Sequence, residues 1–90
     1  MIKLVQVGVG TADNPTGARD SDGTSQLPLQ IDVTGTVTYR LLGRVSPEGR
    51  WQEMVAPTSA DTFKSIAWVP YLRLEVTAGT GTATLWLGEK

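Results

Sequence analysis

The chain has 90 residues, with eight Lys and Arg against nine Asp and Glu, and it contains neither cysteine nor histidine. This length predicts a single domain spanning residues 1–90 with a small core, and the missing cysteines exclude disulfides and thiolate metal sites. A net charge of −1 without a basic run argues against a nucleic-acid partner, and we expect neither a membrane span nor a signal peptide.

Alternating apolar and polar residues predict seven β-strands and no helix. Turn residues separate the predicted strands at intervals of about eight to twelve positions, which is typical of an antiparallel β-sandwich or jelly roll. We therefore expect an all-β fold. The predicted strands are residues 2–7, 27–33, 36–45, 51–55, 63–68, 71–77 and 82–87.

The clearest local prediction is a hairpin formed by residues 36–45 and 51–55. Its turn is Ser-Pro-Glu-Gly at positions 46–49, where proline presets φ at the second position and Gly49 accepts a positive φ. Ala-Gly-Thr-Gly at positions 78–81 predicts a second, flexible hairpin turn. Because Pro28 cannot donate a ladder hydrogen bond, we expect its strand at a sheet edge, or Pro28 at the start of that strand.

A long flexible loop is predicted over residues 11–26, where Gly, Asp, Asn, Ser and Thr dominate. A loop of this length is either functional or mobile. Asp20-Ser21-Asp22-Gly23 is a fragment of a calcium-loop pattern, but the third spaced carboxylate and the terminal glutamate are missing. We expect an ordinary solvated loop, without a metal or another cofactor.

The tryptophans differ in their predicted surroundings. Trp51 opens a strand in the phase of its apolar residues, which places it in the core or at the core rim. Trp86 is in phase with Thr84, on the face opposite Leu85 and Leu87. It either contacts a sugar ring or a partner protein, or it closes the second face of a strand that is buried on both sides. The candidate interface residues are Trp86, Trp68, Thr84 and Arg73.

No catalytic constellation is visible. A nucleophile needs an adjacent base, and without His and Cys only carboxylate pairs could serve. The arginines and glutamates of the predicted strands are expected to form cross-strand ion pairs on a solvated face. We therefore predict that the protein is not an enzyme. These charged residues are Arg40, Arg44, Arg50, Arg73, Glu53 and Glu75.

A small core without disulfides or metal, with apolar side chains on both faces of the last strand, predicts a closed homo-oligomer, most simply a trimer. Several short motifs between residues 29 and 88 also resemble small accessory virion proteins of tailed bacteriophages. The motifs are Gly35-Thr36-Val37, Leu41-Leu42-Gly43-Arg44-Val45-Ser46-Pro47, Arg50-Trp51, Val69-Pro70-Tyr71-Leu72-Arg73-Leu74 and Thr84-Leu85-Trp86-Leu87.

This resemblance implies a β-sandwich without catalytic residues that decorates the phage head or joins the neck and tail. Its partners would be copies of itself and capsid or tail proteins. It would be made in the host bacterial cytoplasm and located in the virion. A trimer would suit threefold capsid positions.

A carbohydrate-binding module remains the alternative. The strand at 36–45, its turn, Trp51 and the run at 71–74 are also similar to discoidin-like sandwiches. That family is longer, and its N-terminal strands have no room in this chain.

Overall fold

The computed structural model of the chain describes residues 2–13, 26–67 and 69–88, and these residues form eight β-strands. Turn and corner residues rich in Gly, Ser, Thr and Pro separate most of them, as the sequence predicts. The strands are β1 (Ile2–Val7), β2 (Gly10–Asp13), β3 (Gln26–Thr34), β4 (Val37–Arg44), β5 (Gln52–Thr58), β6 (Thr62–Ala67), β7 (Tyr71–Gly79) and β8 (Thr82–Leu87).

The strands form two four-stranded sheets that pack face to face. Sheet A has the order β1-β8-β3-β6, and sheet B has the order β2-β7-β4-β5. All neighbouring strands run antiparallel. Every connection except β4–β5 passes from one sheet to the other, which is the connectivity of a double-sheet jelly roll. The predicted all-β sandwich or jelly roll is confirmed, with eight strands instead of seven.

The additional strand is β2, whose last three residues fall in the predicted loop 11–26. β2 pairs with β7 at the edge of sheet B. Its sequence is Gly-Thr-Ala-Asp, in which Ala12 is the single apolar side chain, so no alternation of apolar and polar residues predicts a strand here. Gln26 already belongs to β3. The predicted loop was therefore too long at both ends. Its predicted flexibility concerns residues 14–25, which lie outside the described residues.

The core fills the space between the two sheets, where alternation places one side chain in two from each strand. Tyr39 is completely buried, and its hydroxyl donates to the carbonyl oxygen of Ala60 at 2.6 Å. The Thr62 hydroxyl, also 2.6 Å away, then donates to the Tyr39 oxygen. Burial raises the pKa of the Tyr39 phenol. The other fully buried large side chains are Leu29, Ile31, Leu41, Leu72, Leu74, Leu85, Leu87, Val37 and Val76.

The predicted central hairpin is confirmed, since β4 pairs with β5. Its turn closes through a hydrogen bond from the Gly49 amide to the Ser46 carbonyl at 2.9 Å, with Pro47 at the second position. The described glycines with positive φ are Gly8, Gly10, Gly35 and Gly79. The expectation of a positive φ at Gly49 is therefore wrong, because a turn with proline second and glycine fourth needs no left-handed residue.

The predicted hairpin at residues 78–81 is wrong, because β7 belongs to sheet B and β8 to sheet A. This corner packs against the β3–β4 corner instead. The amides of Thr80 and Gly81 both donate to the Thr36 carbonyl oxygen, at 3.1 and 3.2 Å. A Cβ at Gly79, whose φ is +104°, would lie 2.1 Å from that same oxygen. The two corners interlock only because Gly79 has no side chain.

Pro28 does not mark a sheet edge. β3 lies inside sheet A, between β8 and β6. Pro28 is opposite Ser65 of β6, whereas the ladder with β8 begins one residue later, at Leu29. The Pro28 carbonyl accepts a hydrogen bond from the Gly88 amide at 2.8 Å. The second alternative, a proline near the strand start, is the one that fits.

Candidate functional site

Sheet A has an outer surface with few charges and several exposed apolar side chains, here called the sheet A face. Its residues alternate with the buried ones along each strand. Val5, Val7 and Phe63 are 46%, 68% and 79% exposed, although large apolar side chains are normally covered. The described residues of the sheet A face are Lys3, Val5, Val7, Gln26, Pro28, Gln30, Asp32, Thr34, Phe63, Ser65, Ala67, Thr82, Thr84 and Trp86.

Trp86 lies near the middle of the sheet A face. In register it is flanked by Lys3 of β1 and Gln30 of β3, and Gln30 is followed by Phe63 of β6. The Lys3 ammonium is 5.8 Å from the centroid of the Trp86 ring, within cation–π range. Ala83, Leu85 and Leu87 are buried on the opposite side of β8. The predicted orientation of Trp86 is therefore confirmed, and its ring is partly buried.

A shallow groove of about 140 Å³ runs beside Trp86 and Phe63. Its lining is mostly apolar. The Gln30 side-chain amide donates a hydrogen bond to Asp32 at 3.1 Å, which uses one of its two N–H donors. The groove has room for one side chain of about leucine or phenyl size. It is lined by Pro28, Leu29, Gln30, Phe63, Trp86 and Gly88.

Thr84 is the second predicted interface residue on the sheet A face. It lies opposite Val5 of β1 and Asp32 of β3, and its side chain is partly buried. The structure therefore brings Trp86 and Thr84 together. Trp68, the third candidate, lies outside the described residues.

Sheet B carries the charged outer surface, here called the sheet B face. Arg40 donates from Nε to Glu75 at 2.5 Å and lies 3.7 Å from Glu53. The hydrogen bond to Glu75 raises the pKa of Arg40. These pairs join β4 to both neighbouring strands, so the predicted cross-strand ion pairing with Glu53 and Glu75 is confirmed for Arg40. Such exposed pairs contribute little stability.

Arg73, the fourth candidate interface residue, also lies on the sheet B face, on the opposite side of the sandwich from Trp86. Its Nε and Nη2 donate to the two carboxylate oxygens of Asp13, at 2.7 and 2.8 Å. This bidentate hydrogen bond lowers the pKa of Asp13. The four candidates therefore do not form one site.

Trp51 is not a core residue, which corrects the sequence interpretation. It lies just before β5 and is partly buried on the sheet B face. The guanidinium carbons of Arg44 and Arg73 are 4.3 and 4.4 Å from its ring centroid. Leu42, in the outward phase of β4, is only 6% exposed. The apolar side chain of Leu42 interrupts the alternation on the outward side of β4. This interruption was the feature of the sequence that indicated that other side chains cover part of the sheet B face.

The described residues contain no group of three His, Cys, Asp or Glu side chains that could hold a metal ion. Asp20 and Asp22, of the calcium-loop fragment, lie outside them. Among residues 2–13, 26–67 and 69–88 there is no helix long and apolar enough to cross a membrane.

Comparison of the chain with protein-family models, with curated proteins and with solved structures gives no significant match.

Proposed function

We propose that this chain is a non-enzymatic structural protein of a tailed-phage virion. It self-associates through the sheet A face and attaches in that form to capsid proteins, as a decoration, or to neck or tail proteins. The observation that carries the proposal is the contrast between the two outer faces of the sandwich. One carries six charged side chains, most of them paired with one another, and the other carries two charged side chains and several exposed apolar ones.

The two faces differ in the charges they hold. Among the described residues the sheet A face has two charged side chains, Lys3 and Asp32. The sheet B face has six: Asp13, Arg40, Arg44, Glu53, Arg73 and Glu75. Depletion of charge around exposed aromatic residues is typical of the centre of a protein interface. Solvated faces hold ion pairs of the kind seen on sheet B.

The size of the sheet A face fits an assembly role. Four strands about 4.8 Å apart and about six residues long present roughly 400 Å². Six of the fourteen described side chains on this face are apolar and two are charged, and exposed apolar side chains grouped on one face are typical of interaction sites. The area is about half of the roughly 800 Å² per partner of a stable interface, and neighbouring loops would supply the rest. A second copy of the chain is the simplest occupant, and a closed trimer is the simplest arrangement.

The virion setting rests on the motif resemblance over residues 29–88 and on analogy of fold. Double-sheet jelly rolls occur in viral capsid proteins and in lectins, so the architecture is compatible with either role. Fold alone does not decide function. In this setting the chain is made in the host bacterial cytoplasm and located in the virion.

Carbohydrate binding is the second candidate, because Trp86 and Phe63 flank a groove on a sheet face. The groove volume of about 140 Å³ is below that of most ligand pockets, which hold about 300–1,000 Å³. A sugar also needs several hydrogen-bonding groups, and among the residues that line the groove only Gln30 and the Trp86 indole have polar side-chain groups. Assembly is therefore the better supported function.

The test places the same charge on each outer face. Thr84→Arg introduces a guanidinium at the centre of the sheet A face. Thr38→Arg, its matched control, alters a partly buried threonine on the outward side of sheet B. Solution mass is measured by sedimentation and light scattering from micromolar to hundreds of micromolar protein.

We expect the wild type and Thr38→Arg to form the same closed oligomer and Thr84→Arg to sediment as a monomer. Equal circular dichroism spectra for all three proteins show that the fold is retained. A wild type that remains monomeric at hundreds of micromolar contradicts the proposal, and so does an oligomer that Thr84→Arg leaves intact. Quenching of tryptophan fluorescence by a glycan in a monomeric wild type would favour the carbohydrate-binding function instead.

A further inference from the structure

A closed trimer requires two different contact surfaces on each copy. A two-fold contact joins the same patch of both copies, whereas a three-fold ring joins one patch of each copy to another patch of the next. The sheet A face of one copy must therefore meet a second surface of its neighbour. Because the centre of a stable interface is apolar, this second surface should also expose apolar side chains.

Two valines outside the sheet A face are largely exposed. Val9 lies at the β1–β2 corner, and Val45 directly follows β4. They lie at opposite ends of the sandwich, because β1 ends beside the start of β8 and β4 ends beside the start of β7. Among the described residues, the other large apolar side chains that are exposed belong to the sheet A face itself. The second surface therefore contains one of these two valines.

The β4–β5 hairpin ends in an exposed segment, residues 45–50, here called the hairpin tip. The Gly49 amide donates to the Ser46 carbonyl at 2.9 Å, and the Glu48 amide donates to the Ser46 hydroxyl at 3.2 Å. The ring of Pro47 restricts the turn further. Because the turn is formed before a partner binds, association at the hairpin tip has little backbone left to order.

The groove of the sheet A face fits the hairpin tip in size. It holds about 140 Å³, and Trp86 and Phe63 contribute to its mostly apolar lining. This is room for one side chain of about leucine or phenyl size, and the valine side chain is smaller. Val45 and Phe63 are both exposed in the single chain. Placing Val45 in the groove removes apolar surface of both residues from water.

The charges of the two surfaces are complementary. The sheet A face holds Lys3 and Asp32, and the hairpin tip holds Glu48 and Arg50, which are exposed. One cation and one anion on each surface allow every charge to meet an opposite one at the rim, where charges set the orientation of a contact. The corner that carries Val9 has the sequence Gly-Val-Gly and offers no such match.

We propose that the groove of the sheet A face binds the hairpin tip of a second copy, with the Val45 side chain between Trp86 and Phe63. The contact joins two different surfaces, so successive copies can close into a ring. This inference rests on the proposed self-association and identifies the surface that the sheet A face meets.

The first test is cross-linking between introduced thiols, since the chain itself has no cysteine. Ser65→Cys places a thiol at an exposed position opposite Pro28, at the rim of the groove. Val45→Cys places one on the hairpin tip, and Val9→Cys is the matched control. Each variant is treated with a short bismaleimide reagent, alone and after reassembly with Ser65→Cys, at a concentration where the wild type is oligomeric. Mass spectrometry identifies the joined residues.

We expect Val45→Cys to join Ser65→Cys far more efficiently than Val9→Cys does. Equal joining of the two valine variants to Ser65→Cys would overturn the inference. Joining of Ser65→Cys mainly to itself would also overturn it, because that result indicates a two-fold contact between sheet A faces. Either result leaves the proposed self-association intact, whereas a wild type that stays monomeric contradicts both.

The second test places a carboxylate on each exposed valine. Val45→Asp should raise the dissociation constant of the oligomer about tenfold or more in sedimentation equilibrium, because the charge would enter an apolar groove. Val9→Asp, the matched control, should change it less than about twofold, because surface substitutions away from a contact have small effects. Circular dichroism spectra like that of the wild type show that both variants are folded. If Val45→Asp associates as tightly as the wild type while Thr84→Arg is monomeric, the sheet A face binds another surface and the inference is wrong.

Discussion

Replacing Trp86 with alanine removes the largest side chain of the sheet A face, and its effect divides between folding and association. In the protomer the ring is partly buried beside Lys3 and Gln30. A tryptophan side chain buries about 150–250 Å² when it is covered. Loss of about 100 Å² of burial, at about 25 cal/mol per Å², lowers the free energy of unfolding by about 2.5 kcal/mol. This is below the cost at a closed core site, because water can fill the space left on an open face.

The part of the ring that stays exposed in the protomer is available to a second subunit. If association covers roughly 60–80 Å² of it, Trp86→Ala weakens association by about 1.5–2 kcal/mol. This corresponds to a dissociation constant more than tenfold higher. Urea unfolding at a dilution where the protein is monomeric gives the first quantity, and sedimentation equilibrium gives the second.

Trp51→Ala is the matched control, because Trp51 is also partly buried but lies on the sheet B face. It should leave association unchanged while it disturbs the arginines stacked on its ring. The reasoning is refuted if Trp86→Ala loses stability as a monomer but associates as tightly as the wild type. That outcome would make Trp86 a purely intramolecular residue.

The remaining predictions concern stability. Gly79→Ala should cost about 3 kcal/mol or more in urea unfolding, because its Cβ would lie 2.1 Å from a backbone oxygen. Gly8→Ala, at φ +71° with open space around it, should cost only about 1–2 kcal/mol. Equal losses of unfolding free energy in Gly79→Ala and Gly8→Ala would disprove the clash at Gly79. Tyr39→Phe should lower unfolding free energy by about 1–3 kcal/mol with an unchanged denaturant slope, since two oxygen partners lose their hydrogen bond. The hydrogen bond from Arg73 lowers the pKa of Asp13 below its ordinary 3.8. The Asp13–Arg73 pair therefore stabilises the fold above pH 3.8, and this contribution is lost as the pH falls through the lowered pKa of Asp13. Because the pair is exposed, it contributes less than about 1 kcal/mol. In Asp13→Asn the free energy of unfolding should therefore change less with pH below pH 3.8. A pH dependence identical to that of the wild type would contradict this.

Strand positions were predictable from the sequence because alternation is a local property. Leu29, Ile31, Leu85 and Leu87 are buried as their phase requires, and so the inner face of sheet A could be predicted. β2 could not be, since four residues with one apolar side chain besides glycine carry no measurable period. Its strand conformation comes from pairing with β7, 60 to 66 positions away.

Strand partners were harder to predict than strands. Glycine-rich segments form hairpin turns and sheet-to-sheet corners alike, so residues 78–81 did not reveal that β8 leaves sheet B. The candidate site shows the same limit. The outward direction of Trp86 follows from its phase, whereas the pairing of Arg73 with Asp13 joins residues 60 positions apart. Contacts of that kind depend on the order of the strands in the sheets, and the alternation along one strand carries no information about that order.

The place of β8 inside sheet A constrains how the protein folds during synthesis. β8 is hydrogen-bonded to β1 on one side and to β3 on the other, with Leu87 opposite both Ile2 and Leu29. Sheet A therefore cannot form until residues 82–87 have left the ribosome, and β1 has no sheet partner while the rest of the chain is made. Pairings this distant are slow to form and leave strand edges exposed meanwhile. Sheet B does not contain β8 and can begin from the local β4–β5 hairpin, so the inner apolar faces of the two complete sheets can cover each other only after residues 82–87 are available.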